Sequence, residues 1–247
     1  MSLKIENITK AFGEKEILND LSFELEKGKT TVLMGANGSG KTTLCNIITG
    51  FLKADSGKVF LHNETIDGLP PHIRNAKGIS RSFQDMRLVG ELTVLENVLL
   101  AFQNQSGEKW WKVMLPSRSV TQEQEAYEIK AKNILSACFI ADVAESKAAE
   151  VSYGQQKLLN LACCMANDAE VILLDEPAAG VNPGYREKLE SIIQELKKHK
   201  ALLIIEHNMD FIEAVADELL FLNAGKITRF SDYTTLRNNE AVQEAYI

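Results

Sequence analysis

The chain has 247 residues, of which 45% are hydrophobic and 25% are charged. This length suits one large domain or two small lobes, and the composition excludes a disordered chain, which would be poorer in apolar residues. The 27 Lys and Arg against 34 Asp and Glu give a net charge of -7, which disfavours a protein that holds nucleic acid by counterion release.

Membrane-spanning and secretory segments are not predicted. The purest apolar runs, at 171–174 and 201–205, are far shorter than the roughly 20 residues that a spanning helix requires. The N-terminal residues alternate polar and apolar side chains, so we expect no signal peptide. The cysteines contain no CxxC pair, and we interpret them as small buried residues, with a disulfide or zinc site as the alternative. They are Cys45, Cys138, Cys163 and Cys164.

Short β-strands are predicted in the first third of the chain. Residues 3–8 and 23–25 alternate apolar and polar side chains, the pattern of a half-buried strand. An apolar strand at 31–34 runs into a glycine-rich turn, and a helical pattern follows at 42–49. Two more strands are predicted at 57–61 and 78–84.

The middle of the chain, roughly residues 86–167, is predicted to be mostly helical. A polar stretch between the first two helices contains Trp110 and Trp111. We interpret these two side chains as packing within the chain, with contact to a partner protein as the alternative. The predicted helices are Leu92 to Phe102, Glu123 to Ala137 and Ser152 to Ala166.

Strand and helix alternate again from Val171 onward. Buried strands are predicted at 171–174 and 202–205, an amphipathic helix covers 189–196, and a hairpin turns at 223–225. The sequence therefore predicts an α/β fold that is interrupted by one helical insertion.

The glycine-rich turn carries the first chemical motif. Residues 35–42 read GANGSGKT and match GxxxxGK[ST], in which backbone N–H groups surround phosphates at a helix N-terminus. Lys41 would contact the β- and γ-phosphates, and the Thr42 hydroxyl would bind Mg²⁺. The alternative is a plain glycine turn, which the flanking strand and helix disfavour. The candidate residues are Gly35, Ala36, Asn37, Gly38, Ser39, Gly40, Lys41, Thr42 and Thr43.

The strand at 171–174 ends in two carboxylates. Asp175 would reach the shell of the Mg²⁺ ion, and Glu176 would polarise the attacking water. An acidic pair after a strand is, taken alone, more often a solvated turn. Together with the phosphate loop it indicates hydrolysis of a nucleoside triphosphate.

Residues 151–155 read VSYGQ and begin the third helix of the insertion. Ser152 and Gln155 form a capping box, so an ordinary capped helix is one interpretation. The other is that this N-terminus, with Ser152 and Gly154, presents N–H groups to a γ-phosphate. At this point the sequence resembles the ATP-binding subunits of ABC transporters, whose signature usually reads LSGGQ.

The resemblance covers essentially the whole chain and implies further roles. Phe12 matches the aromatic residue that stacks on adenine, with Ile17 as an apolar neighbour. Gln84 matches the glutamine that reaches the metal and the attacking water. His207 matches the switch histidine that contacts the γ-phosphate.

Three positions depart from the family pattern. Val151 and Tyr153 alter the signature, and Asn182 replaces the usual Asp of the D-loop at 179–182. Asn182 followed by Pro183 still predicts the N-cap and first residue of a helix.

The resemblance also implies an architecture. It implies a P-loop NTPase core with an N-terminal antiparallel β subdomain in residues 1–85 and 168–247, and a helical subdomain in residues 86–167. Mg-ATP would lie between two ATPase subunits, identical or different, with Ser152, Gly154 and Gln155 of one facing the nucleotide of the other. The further partners would be membrane permease subunits and a solute-binding protein. The chain would be peripheral, at the cytoplasmic face of the inner membrane.

A closer resemblance is to the larger ATPase subunit of branched-chain amino-acid uptake systems. It rests on residues 80–88, 91–98, 152–156 and 175–183. Related ATPases of urea importers, of lipopolysaccharide exporters and of other transport systems remain alternatives, as does a non-transport ABC ATPase. A P-loop kinase or GTPase is disfavoured by the SYGQ helix and by the lack of an NKxD motif, and a non-catalytic module by the intact acidic pair.

Overall fold

The computed structural model describes residues 2–82, 88–103 and 118–246 of the chain. Its strands are β1 (Leu3–Phe12), β2 (Lys15–Leu25), β3 (Thr30–Met34), β4 (Ser56–Leu61), β5 (Glu64–Thr65), β6 (Ile79–Arg81), β7 (Val171–Asp175), β8 (Ala201–Ile205), β9 (Glu218–Asn223) and β10 (Lys226–Phe230). Its helices are α1 (Lys41–Thr49), α2 (Pro71–Ala76), α3 (Val94–Ala101), α4 (Arg118–Ala137), α5 (Tyr153–Ala166), α6 (Pro183–Leu196), α7 (Met209–Val215), α8 (Tyr233–Arg237) and α9 (Glu240–Tyr246).

The described residues fall into two compact units. The first comprises residues 2–82, 169–179 and 193–246, and the second comprises residues 88–103, 118–168 and 180–192. All ten strands belong to the first unit. None of the helices in the described ranges is long and apolar enough to cross a membrane.

The first sheet is antiparallel, with the strand order β2-β1-β4-β5. Leu3, Ile5 and Ile8 of β1 are fully buried, although their spacing breaks the two-residue period of a strand. Asn7 has a φ of 52°, and the pairing with β2 changes register between Ile5 and Ile8. This irregularity returns Ile8 to the buried face.

The second sheet is mixed, with the strand order β10-β9-β3-β8-β7-β6. Strand β10 pairs antiparallel with β9, and the other neighbours are parallel. Every residue of β3, β7 and β8 is buried, as expected for parallel strands covered on both faces. The predicted α/β fold, with an antiparallel sheet and a largely parallel sheet, is confirmed.

Helix α1 is fixed in the core of the first unit. Leu44 and Ile48 are fully buried in the cluster that also contains residues of both sheets. At its C-terminal end, the buried Arg74 guanidinium donates to the carbonyl oxygens of Ile47 (2.7 Å) and Ile48 (2.9 Å). A cation at this end complements the carbonyl groups that the last helical turn leaves unpaired. Burial lowers the pKa of Arg74.

The second unit is built from helices. Thr93 and Glu96 form a capping box at the start of α3. The rings of Phe102 and Tyr127 lie 4.9 Å apart, and the Cys138 thiol lies 3.5 Å from the Met165 sulfur. These contacts pack α4 against the end of α3 and against α5.

The predicted elements differ from the observed ones mainly at their ends. Helix α3 begins at Val94 rather than Leu92, because Thr93 caps it, and α4 begins at Arg118 rather than Glu123. Strand β6 covers only Ile79–Arg81 of the predicted 78–84. Gln84, Trp110 and Trp111 lie outside the described residues. Helices α2, α7, α8 and α9 were not predicted.

The interpretation of the cysteines is confirmed. None of the four is in a disulfide; Cys45, Cys138 and Cys164 are buried and Cys163 is half-buried. Burial raises the pKa of the Cys45, Cys138 and Cys163 thiols to about 12.

Candidate functional site

A pocket of about 290 Å³ lies where three strands of the mixed sheet end. Strand β8 lies between β3 and β7, so the loops that follow these parallel strands meet at one edge of the sheet. The pocket is lined by Phe12, Ile17, Asn37, Gly38, Gly40, Lys41, Thr42, Thr43, Asp175, Glu176 and Ile205. All but Ile205 were singled out from the sequence.

The loop between β3 and α1 forms one wall of the pocket, and its shape requires glycine. Gly35 has a φ of 149°, and a Cβ there would lie 2.3 Å from the carbonyl oxygen of Leu222. Gly40, with a φ of 109°, is the N-cap of α1, and no side chain of the described residues caps that helix. The first N–H groups of α1 are therefore available to an anion.

Lys41 folds back over this loop. Its ammonium donates to the carbonyl oxygens of Gly35 (2.7 Å) and Ala36 (2.9 Å). Burial lowers the pKa of Lys41, an effect that nearby Glu176 and Asp175 oppose. The Ser39 hydroxyl in the same loop is buried and has no hydrogen-bond partner among the described residues. An ammonium, a hydroxyl and a helix N-terminus together form a donor set that fits phosphate oxygens.

Asp175, at the end of β7, is held by two residues that sequence reasoning missed. Its Oδ2 accepts a hydrogen bond from Arg81 Nη2 at 2.8 Å, and its backbone N–H donates to Ser82 Oγ at 3.0 Å. Arg81 Nη1 also donates to Asn46 Oδ1 at 2.7 Å. With the Thr42 hydroxyl in the same pocket, Asp175 supplies the hard oxygen ligands that Mg²⁺ prefers, leaving other positions for phosphates and water.

Glu176 and His207 face each other across the loops after β7 and β8. Glu176 Oε1 lies 3.3 Å from His207 Nε2. Glu176 has a φ of 48°, in the left-handed region that few residues other than glycine adopt, and its N–H donates to the Ile205 carbonyl at 2.9 Å. Such a conformation is more frequent at functional sites than elsewhere.

The carboxylate of Glu206 ties these two loops together. Glu206 is 2% exposed, and its oxygens accept the N–H groups of Ala178 (3.3 Å) and Asn208 (3.2 Å). Burial raises the pKa of Glu206, and these hydrogen bonds oppose the rise. The residue was missed because only the pairing of β7 with β8 brings Ala178 close to Glu206, 28 positions further along the chain.

The aromatic side of the pocket is built on the end of β1. Phe12 is 51% exposed, and the Lys10 ammonium lies 5.5 Å from the centre of its ring. Lys10 pairs with Asp55 at 2.6 Å, and Asp55 also accepts the N–H of Ala11. These two hydrogen bonds lower the pKa of Asp55. The exposed ring is a suitable stacking surface for a planar base.

The signature residues belong to the other compact unit. Ser152 and Gln155 form the predicted capping box at the start of α5. Gly154 packs beneath the ring of Tyr185, and a Cβ at position 154 would lie 2.6 Å from Tyr185 Cδ2. Asn182 Oδ1 accepts the Tyr185 N–H at 3.1 Å, so the predicted N-cap of α6 is confirmed. Ser152, Gly154, Gln155, Gly35, Ala36, Ser39 and His207 are not among the pocket-lining residues.

Residues 18–179 match the family model described as ABC transporter. The chain is 33% identical to the high-affinity branched-chain amino acid transport ATP-binding protein LivG of Escherichia coli K12, over 99% of this chain and 97% of that protein. It is 39% identical to the probable branched-chain amino acid transport ATP-binding protein LivG of Methanocaldococcus jannaschii, over 91% of this chain and 87% of that protein.

Solved structures of ATP-binding cassettes have the same fold. One, the ADP conformation of an ABC transporter cassette, is 35% identical with a TM-score of 0.83, over 99% of this chain and 98% of that chain. Another, a dimeric bacterial ABC transporter cassette, is 25% identical with a TM-score of 0.76, over 92% and 97% of the two chains.

Proposed function

This chain belongs to the ABC transporter family as an ATPase subunit, and on that premise we propose that it hydrolyses Mg-ATP to power the uptake of branched-chain amino acids. One observation carries the assignment of the site: a single pocket is lined by the phosphate loop, by Asp175 and by Glu176. The solute class rests on the names of the LivG relatives, which match the chain over most of its length.

The nucleotide binds along the pocket, with its base at one end and its phosphates at the other. Phe12 stacks on the adenine, with Ile17 beside it, and the N–H groups of the loop at 35–43 surround the phosphates. Lys41 turns its ammonium from the carbonyl oxygens of the loop to the β- and γ-phosphates. The exchange retains hydrogen bonds to the buried ammonium, which limits the desolvation penalty of keeping it charged.

Thr42 and Asp175 hold Mg²⁺, and Gln84, outside the described residues, is a further ligand in this proposal. When bound, the ion neutralises charge that develops on the phosphate oxygens during transfer. Glu176 Oε1 accepts a proton from the water whose oxygen attacks the γ-phosphorus, and the bond from that phosphorus to the bridging oxygen breaks, so that ADP and phosphate leave. His207, 3.3 Å from that oxygen, orients the carboxylate and contacts the γ-phosphate.

A second ATPase subunit completes the site. Ser152, Gly154 and Gln155 lie at the N-terminus of a 14-residue helix, whose N-terminal N–H groups and positive dipole end suit a γ-phosphate. We propose that this N-terminus faces the nucleotide of the partner copy, so that ATP joins two chains and hydrolysis separates them. The pair works beneath permease subunits at the cytoplasmic face of the inner membrane, with a solute-binding protein in the full system.

Nucleotide binding and hydrolysis by the purified chain test this proposal. We expect Mg-ATP to be hydrolysed in preference to Mg-GTP, and Lys41→Ala to lose nucleotide affinity. Lys29→Ala is the matched control, because Lys29 is an exposed lysine whose ion pair is with Glu26. Normal ATP binding by Lys41→Ala would contradict the phosphate-loop assignment.

The solute class needs a separate measurement. The membrane protein that co-purifies with the chain can be reconstituted with it in vesicles, and uptake of labelled leucine compared with uptake of labelled urea. ATP-dependent uptake of leucine supports the proposal, and uptake of urea alone would reassign the solute while leaving the ATPase assignment intact.

A further inference from the structure

Arg81 and Asp175 form a buried ion pair at the end of β7. The Nη2 to Oδ2 distance is 2.8 Å, and the two side chains are only 5% and 7% exposed. Removing one partner of such a pair leaves an uncompensated buried charge, so Arg81 strongly affects the electrostatic environment of Asp175. It occupies one oxygen of the carboxylate, Oδ2, and Oδ1 has no hydrogen-bond partner among the described residues.

The guanidinium is held in place from a second side. Its Nη1 donates to Asn46 Oδ1 at 2.7 Å, and Asn46 lies on α1 one helical turn after Thr42. Arg81 therefore connects the helix that carries one proposed metal ligand with the strand that carries the other. The planar, forked shape of the guanidinium allows both contacts at once.

Arg81 offsets one of the two carboxylates at this end of the pocket. Of the charged side chains that line the pocket in the described residues, Lys41 is positive and Asp175 and Glu176 are negative, and Arg81 adds a positive charge beside Asp175. A divalent cation that enters alone therefore meets less negative charge than the two carboxylates would present without Arg81, whereas a cation bound to a nucleotide arrives with the negative phosphates. The attraction that holds a metal here depends on this sum, because charges a few ångströms apart interact strongly in a partly buried site.

We propose that Arg81 is a positioning residue that orients Asp175 and cancels its charge, so that a divalent cation binds together with a nucleotide and not by itself. The inference rests on the proposed function and adds an order of binding to it. Arg81 keeps the carboxylate in place by Oδ2, and it prevents free cations from occupying the pocket ahead of the nucleotide.

Mn²⁺, a paramagnetic substitute for Mg²⁺, tests the proposal by electron paramagnetic resonance on the full chain. The wild-type protein should bind Mn²⁺ weakly alone and much more tightly with ADP. Arg81→Gln removes the charge but can still donate a hydrogen bond, and it should bind Mn²⁺ alone at least about tenfold more tightly than wild type. Arg81→Lys keeps the charge and should behave as wild type does.

Asn46→Ala separates charge from structural support. It removes the contact between Arg81 and α1 but no charge, so Mn²⁺ binding without nucleotide should stay weak. If Arg81 served only to hold the fold, Arg81→Gln and Asn46→Ala would both lower the unfolding temperature and neither would gain affinity for free Mn²⁺.

Two results would overturn the proposal. One is tight binding of Mn²⁺ by the wild-type chain without ADP, which needs no variant to fold. The other is a folded Arg81→Gln protein whose affinity for Mn²⁺ alone is unchanged or lower. Failure of the proposed function would be distinct, since the wild-type chain would then not bind ADP at all.

Discussion

Replacing Gly154 by alanine should make the chain less stable, and Tyr185 should be the reason. A Cβ at position 154 would lie 2.6 Å from Cδ2 and 2.7 Å from Cγ of the Tyr185 ring. Distances this short force the ring or the start of α5 to move. An aromatic ring attached to a helix cannot simply bend away, as the end of a long side chain can.

The magnitude follows from two opposing effects. Overpacking of this kind destabilises by about 1–3 kcal/mol. Alanine in a helix is favoured over glycine by about 0.5–1 kcal/mol. The net loss for Gly154→Ala should therefore lie between about 0 and about 2.5 kcal/mol. In a Tyr185→Ala background the ring is gone, and the same substitution should instead stabilise by up to about 1 kcal/mol.

Urea unfolding of the wild type, Gly154→Ala, Tyr185→Ala and the double variant measures how the two substitutions affect each other. We expect a coupling free energy of about 1–3 kcal/mol between positions 154 and 185. Gly184→Ala is the matched control, because Gly184 also lies second in its helix and a Cβ there meets only Asn182 Oδ1, at 3.7 Å. It should be neutral or stabilising.

An equal loss of stability from Gly154→Ala in the wild-type and Tyr185→Ala backgrounds would show that the Tyr185 ring is not the cause. The signature glycine would then be required for a reason other than the space that Tyr185 occupies.

Three further substitutions test other parts of the molecule. Arg74→Met should lower the free energy of unfolding by about 3 kcal/mol, because it leaves buried carbonyl oxygens of α1 without donors; a loss below about 0.5 kcal/mol in urea unfolding would contradict this. Burial raises the pKa of Glu206, so the folded chain holds this proton to higher pH than the unfolded chain does. The free energy of unfolding should therefore fall as pH rises from the ordinary pKa of 4.5 through the raised pKa of Glu206. Glu206→Gln should make this dependence on pH less steep in unfolding measured from pH 4.5 to 8. An unchanged dependence would contradict the raised pKa of Glu206. Phe12→Ala should weaken the binding of ATP about tenfold through the loss of base stacking, and it should leave the affinity for inorganic tripolyphosphate unchanged. Calorimetry with both ligands measures this, and an equal loss of affinity for both would contradict the stacking role of Phe12.

The features that could be predicted from the sequence are those formed by contiguous residues. The phosphate loop at 35–42 and the acidic pair after β7 are read directly, because strand, loop and helix follow one another along the chain. The apolar runs of β7 and β8 indicate parallel strands for the same reason. The capping box at Ser152 is likewise a local pattern, and the structure contains it.

The features that were missed depend on which strands are neighbours. Arg81 meets Asp175 because β6 pairs with β7, although the two residues are 94 positions apart in the chain. Glu206 joins the loops after β7 and β8 in the same way, and Tyr185 meets Gly154 only once α6 packs near α5. Strand order and helix packing are set by the whole core, and no local spacing encodes them.

We propose that Glu176 takes part in hydrolysis at a site completed by a second copy of the chain. Sedimentation of Glu176→Gln with and without Mg-ATP tests both parts of this proposal. We expect monomers without nucleotide and, when Mg-ATP is present, a long-lived dimer that holds two unhydrolysed ATP molecules. A variant that hydrolyses ATP at the wild-type rate, or that binds ATP and stays monomeric, would contradict the claim.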